Sequence, residues 1–378
     1  MDRLPPFLVQ RLPPFRLLRA FLAVLAVLMP ISVYLMNVSL GPAHQLRLLA
    51  KTGAKIPTAV DLLWETSDIY VISLPSRQDR RRDMERLRVA LGLEWSFVDA
   101  YSAESRLVLG IMDWVMAIRA RLPSGRIIAE TDTSPVNSMS FSWPDNLEEL
   151  ARSTQEIELW SSIDSPWDLP TDFGPPSAYR PIACATGDYT IPGAPLPEYL
   201  ILTPARVACW RSHLSVIHRF ANNNLPDAHG VALIFEDDVD MEKDIRQQTQ
   251  ALWPSLPGDW DVVFLGHCWS DEGLGTSLSA HIASAAAHSQ LFTSTGPKCT
   301  HAYALSRIGA RRLLLHLRHP PFAYSRAIDQ AFAWLVHSGR LKSFSVVPSL
   351  VIQRKLTKSD VTPGNGSNWK ETLVNGIL

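Results

Sequence analysis

From Ala232 to Asp240 the chain reads "ALIFEDDVD", four apolar residues running directly into the acids Glu236, Asp237, Asp238 and Asp240. Crowded carboxylates repel one another, so such a group either stays solvated or gathers around a cation. A hard divalent ion such as Mn²⁺ or Mg²⁺ takes oxygen ligands, and one or two protein carboxylates together with substrate phosphates suffice to hold it. In extended chain, residues two apart share a side, which lets Glu236 with Asp238, or Asp238 with Asp240, meet one ion. The competing reading is a solvated acidic turn leading into a helix, "DMEKDIRQ", whose N-terminus favours negative charge.

Other residues have the types that chemistry needs. His213 falls one helical turn after Cys209, a spacing that suits zinc. Two ligands do not make a structural zinc site, so a hydrogen-bonded packing histidine is the expectation there. Asp329 sits in the first turn of an expected helix, where the helix dipole favours negative charge. Asp261 is expected to anchor a strand edge. His267 follows an apolar strand and either lines a ligand site or lies in an exposed loop.

The elements that must place these groups read as α/β. "DIYVISL" (68–74) is an expected strand, followed by a helix with Met84, Leu87 and Leu91 on one face and Gly92 as its stop. "EWSFVDA" is a second strand, making the opening β-α-β with a parallel sheet expected. Thr203-Pro204 opens a helix by N-cap and first-position proline, with Val207, Trp210, Leu214, Ile217 and Ala221 inward. "GVALIF" and "DWDVVFLG" are further strands, "SRIGARRLLLHLRHPP" and "SRAIDQAFAWLVHSG" further helices, and "SFSVVPSLVIQ" is expected to close the sheet. Strands that end in acids point to the carboxyl edge of an open sheet, where ligands bind. Residues 102–200 break the rhythm and read as a long insertion, partly helix over 104–122 and otherwise loop.

Composition narrows the class. Lys and Arg total 36 against 37 Asp and Glu, which gives no electrostatic reason to expect nucleic acid as a partner. Arg3, Arg11, Arg16 and Arg19 precede the apolar run Ala20 to Met36, long enough for a short membrane span. The positive flank predicts a cytosolic tail (1–19), a signal anchor (20–37) and a stem (38–66), with everything beyond on the luminal side. A cleaved signal peptide is the rival, disfavoured by the long charged leader. An oxidising lumen permits disulfides, and Cys268 with Cys299, bracketing a Gly/Ser/Ala-rich loop, is the expected pair, contributing roughly 3 kcal/mol. Cys209 is expected to stay a free thiol. Sequons at Asn37 and Asn365 fit a luminal glycoprotein.

Taken in order, "IYVISLPSRQDRR", "LTPARVACWRSHLSVI", "ALIFEDDVD", "DWDVVFLG", "AYALSRIGARRLL", "AIDQAF" and Ser359-Asp360 resemble glycosyltransferase family 25, which includes lipooligosaccharide and collagen galactosyltransferases. The likeness covers about 68–101 and 200–362, and the cysteine-bearing blocks look most like a fungal branch. It implies a GT-A-like nucleotide-sugar-binding mixed sheet flanked by helices in a catalytic domain over 67–362, followed by a polar tail (363–378). It also implies inverting transfer from a UDP-sugar, with Glu236-Asp237-Asp238 in the place of the metal-holding Asp-x-Asp motif and Asp240 beside it. On the same likeness Arg77, Arg80 and Arg81 match the basic segment after the first strand, facing phosphate or solvent, while His213 and Asp329 match further family positions, Asp329 as the candidate base for the acceptor hydroxyl or else a helix-dipole partner. Two departures stand out: Ser73-Leu74 where the family has Asn-Leu, and Ala205-Arg206 where it has Gly-Glu.

The expectation is therefore a single-pass Golgi or ER enzyme, Mn²⁺- or Mg²⁺-dependent, that moves a sugar from a UDP-sugar to a glycan or glycoprotein. The alternatives are a luminal binding or scaffold protein on the same fold that has lost transfer, and a metal-dependent hydrolase.

Overall fold

A computed structural model describes residues 63–121, 142–159, 181–187, 191–192, 195–223, 230–279, 288–354, 360–361 and 371–378. The chain divides into Met1–Ala59 and Val60–Leu378, and all described residues belong to the second unit. The expected tail and membrane anchor, together with the stem up to residue 62, lie outside the described residues. Among the described residues no helix is long and apolar enough to cross a membrane.

Eleven strands are present among the described residues: β1 (Asp68–Ser73), β2 (Ser96–Asp99), β3 (Ile182–Ala183), β4 (Ile201–Leu202), β5 (Val231–Glu236), β6 (Val239–Met241), β7 (Val262–Cys268), β8 (Gln290–Thr293), β9 (Lys298–Ser306), β10 (Ser343–Val347) and β11 (Val351–Gln353). The helices are α1 (Leu63–Thr66), α2 (Gln78–Leu91), α3 (Arg106–Arg121), α4 (Leu147–Arg152), α5 (Pro204–Ala221), α6 (Ile245–Leu252), α7 (Arg307–Leu317) and α8 (Ile328–His337). Seven strands form one mixed sheet in the order β2-β1-β5-β9-β7-β10-β8. The β1-β2 and β1-β5 pairs are parallel, as the β-α-β opening predicts. β9 runs antiparallel between β5 and β7, which makes the sheet mixed, as expected.

Alternation along the strands explains how both faces are covered. Tyr70, Ile72, Ala232, Ile234, Val262, Phe264, Tyr303 and Leu305 join a core with α3, α5, α7 and α8. Their neighbours Ile69, Val71, Leu233, Phe235, Val263, Leu265, Ala302 and Ala304 join a second core with Met84, Leu87 and Leu91 of α2 and with Ile245 and Leu252 of α6. The start of α5 is as its sequence predicts: Thr203 is extended, its hydroxyl accepts from the Arg206 amide, and Pro204 takes the first turn. α2 ends on Gly92 at φ 60°, a left-handed position that glycine takes without steric cost.

The insertion carries the helix expected over 104–122 as α3, and among the described residues a further short helix, α4. Val108, Ile111, Met112, Trp114 and Val115 of α3 are buried in the first core, and α4 packs on α7. The expected closing strand is also corrected: it breaks into β10, which pairs with β7, and β11, which pairs with β6 in a separate ribbon. The physical reason is Pro348, which has no N–H to give to a continuing ladder.

Candidate functional site

β1, β5 and β7 point the same way, so Ser73, Glu236 and Cys268 reach one edge of the sheet. Because β9 is antiparallel to its neighbours, its first residues, Lys298 to Thr300, begin at that same edge. Cys268 pairs with Lys298 across the ladder, which sets Cys268 and Cys299 5.6 Å apart at Cα and joins them in the expected disulfide. Cys184 and Cys209 are free thiols. Gly266 is required where β7 passes β9 and β11: a Cβ there would lie 2.1 Å from the Val351 carbonyl oxygen and 2.3 Å from His301 Nε2.

This edge opens into a cleft of about 880 Å³, whose walls include Arg80, Arg206, Cys209, Glu236, Asp238 and Asp329. Glu236 ends β5 and Asp238 lies in the turn to β6, and both line the cleft. Thr300 Oγ1 donates to Glu236 at 2.9 Å, and His213 Nε2 lies 3.3 Å from the same oxygen. Burial alone would raise Glu236, but His213 and Thr300 together hold its carboxyl below the usual range. Asp238 accepts from Gln353 Nε2 at 3.2 Å and pairs with Arg80 at 3.2 Å. Burial and the neighbouring Glu236 charge push Asp238 up to about 7.

The other two acids of the motif do not share this role. Asp237 is buried between Ser73, whose hydroxyl donates at 2.7 Å, and Arg80, which donates at 3.0 Å. Ser73, the first departure from the family pattern, is thus what holds Asp237. Asp240 corrects the expectation of a metal-facing carboxylate: one of its oxygens accepts from the amides of Met241, Ile377 and Leu378 at 2.8, 3.1 and 3.1 Å. The two-residue period fails there because the chain turns at 237–238 and is no longer one extended strand.

Asp329 also lines the cleft, at the start of α8, accepting from the Gln330 amide at 2.8 Å and the Cys299 amide at 3.5 Å. Burial raises its carboxyl and the Glu236 charge adds to this, while the two amides and Arg206 pull against it. Arg206, the second departure, is 9% exposed, lines the cleft and donates to the carbonyls of Glu198 and Tyr199 at 3.2 and 3.1 Å. Arg77 stands outside the lining, paired with Asp79 at 3.1 Å and with Asp360, which also approaches Arg80 at 3.4 Å. Arg81 binds Asp99 and Ser73. His213 is the packing histidine expected, 1% exposed behind Glu236, its Nδ1 2.9 Å from the Tyr303 hydroxyl. His267 is buried within β7, outside the cleft lining, which corrects both readings of it: the strand runs two residues further than expected and carries it inside.

Sequence reasoning missed Thr300, Gln353 and the role of Tyr303. Thr300 and Tyr303 sit on β9, whose mixed residues "KCTHAYALS" carry no alternation because both faces are covered, and Gln353 arrives on the detached β11. Asp261 is the anchor expected, accepting from the Lys342 amide at 2.8 Å and paired with Arg312. No protein-family model matches the chain, and no curated protein matches its sequence.

Proposed function

We propose that this chain is a metal-dependent inverting glycosyltransferase on a GT-A-like sheet, moving a sugar from a UDP-sugar to a glycan or glycoprotein acceptor. The reading includes anchorage by residues 20–37, with the catalytic unit in the Golgi or ER lumen. The observation that carries it is the cleft at the sheet edge, whose lining brings Glu236, Asp238 and Asp329 together. The donor set fits a hard divalent cation. Burial and the adjacent Glu236 charge push Asp238 up to about 7, and a cation of that kind would offset both. Bound there, Mn²⁺ or Mg²⁺ supplies charge neutralisation for the departing diphosphate.

The chain's own groups do the rest. Arg80, held between Asp237 and Asp238, places a guanidinium next to the acids, where a diphosphate would lie. Asp329 takes the proton of the acceptor hydroxyl on a carboxylate oxygen. Its raised basicity suits that step, and the Gln330 amide fixes its direction. The Cys268–Cys299 bridge ties the end of β7 to the start of β9 at the same edge.

The test uses the purified luminal chain with UDP-galactose and other UDP- and GDP-sugars. Mn²⁺-dependent binding of a UDP-sugar, followed by transfer to an acceptor, is the expected result. Asp329→Asn should bind donor normally and lose transfer by roughly 10²–10⁴-fold. Absence of binding to every nucleotide sugar overturns the reading. Binding without transfer to any acceptor replaces it with a carbohydrate-binding protein on the same fold.

A further inference from the structure

Beside the acidic edge, and sharing Glu236 with it, lies a second constellation. Cys209 and His213 present Sγ and a ring nitrogen from one face of α5, and the tertiary structure adds the third group their spacing lacks. A Glu236 carboxylate oxygen arrives on β5, and all three donor atoms lie within 4.8 Å of one another. The histidine is also held as a metal ligand would be: 1% exposed, with Nδ1 2.9 Å from the Tyr303 hydroxyl and Nε2 turned toward Glu236. Tyr303 is itself fully buried, so this orientation is locked by the core. Cys209 and Glu236 both line the cleft.

We propose that Cys209, His213 and Glu236 form a site for a soft divalent cation, zinc by preference, with its fourth position open to the cleft. Thiolate and imidazole select zinc over Mn²⁺ and Mg²⁺, and three protein ligands with one open position is the arrangement of zinc ions that bind an exchangeable water or substrate atom. Zinc distances of about 2.0–2.3 Å ask the three donors to draw together from within 4.8 Å of one another. On binding, the Cys209 thiol gives its proton to solvent. His213 offers the Nε2 lone pair while Nδ1–H donates to the Tyr303 oxygen, and Glu236 exchanges its contact with His213 for the ion while keeping the Thr300 hydrogen bond. Asp238 takes no part, and the site rests on nothing assumed about nucleotide sugars.

Full-length protein stripped with a chelator should bind Co²⁺ with a thiolate-to-cobalt charge-transfer absorption that Zn²⁺ abolishes. Cys209→Ser should lack that band and bind Zn²⁺ about 100-fold more weakly, and Tyr303→Phe about 10-fold more weakly, because an outer-shell partner of a ligand histidine is worth about that much. In the unmutated protein, where folding is not at issue, Zn²⁺ should slow alkylation of Cys209 and leave that of Cys184 unchanged. A cobalt protein without the thiolate band, or equal alkylation of Cys209 with and without zinc, overturns the proposal. So does loss of the band in Asp238→Asn, which would put the ion in the acidic corner instead. None of these readouts uses a nucleotide, so they stand whatever the result with UDP-galactose.

Discussion

The molecule buries charge in two places and treats it in opposite ways. Along α7, Arg311 is 5% exposed and its guanidinium is saturated: Nε donates to Ala151 O at 3.1 Å, Nη1 to Ala221 O at 3.1 Å, and Nη2 to Leu150 O and Gln155 O at 3.0 and 2.7 Å. Arg312 beside it holds Glu148 through two nitrogens, at 2.9 and 2.6 Å, and reaches Asp261 with the third. At the cleft edge, by contrast, Asp237 and Asp238 share the single guanidinium of Arg80, and Glu236 leans on a histidine. Buried charge that is fully matched ties elements together and does no chemistry. Buried charge left short of a partner is costly to the fold and available to a ligand.

Breaking the matched side should have the largest effect. Arg312→Ala leaves Asp261, 1% exposed, without its counter-charge, and should lower stability by about 3–5 kcal/mol in denaturant titration. A fall of under 1 kcal/mol would erase the contrast between the two regions.

Acid comes next, acting on the same helix. Burial pushes His316 down to about 4; the ring packs 4.7 Å from Trp143 and Nδ1–H donates to the Arg312 carbonyl at 2.8 Å. A histidine kept neutral by the fold contributes stability above its unfolded pKa of about 6.5 and loses it as pH falls toward 4, a change on the order of 3 kcal/mol. Burial shifts His218 and His267 the same way, so the acid limb is shared. Thermal unfolding between pH 7 and pH 4 should show the loss, and His316→Gln should flatten the largest part of it.

On the unmatched side the sign reverses. Asp238→Asn, measured without divalent ions at pH 8, should raise stability by roughly 1–2 kcal/mol, because the ionised carboxylate is disfavoured in its buried place beside Glu236. The same variant should lose Mn²⁺-dependent nucleotide binding in calorimetry. Destabilisation together with retained binding would make Asp238 a structural acid like Asp261. The smallest effect belongs to a pair in neither class: Asp99 is 70% exposed where it meets Arg81, and Asp99→Ala should cost less than about 1 kcal/mol in the same titration.

Much of this was readable from residues in a row. Thr203-Pro204 announces α5, continuous apolar runs announce β1, β5 and β7, and the placement of Cys268 after one strand, with Cys299 beyond the loop, predicts their bridge. Such features are local: a cap, a period or a β-branched run acts over a few residues and leaves its mark in them. The acids of 236–240 are local too, which is why they could be singled out.

Which of those acids face a common cleft was decided by the tertiary structure alone. Asp240 is lost to the amides of residues 377 and 378, more than a hundred positions away, and Asp237 to Ser73 and Arg80. β9 enters antiparallel between β5 and β7 and brings Thr300 and Tyr303 to Glu236 and His213, though no residue in β9 signals that place. Partners so far apart in sequence are chosen by strand order and by where the chain turns, and these follow from burying two sheet faces at once. No short stretch contains that information, so the Cys209–His213 pair shows a spacing in the sequence and gains its third ligand only in the fold.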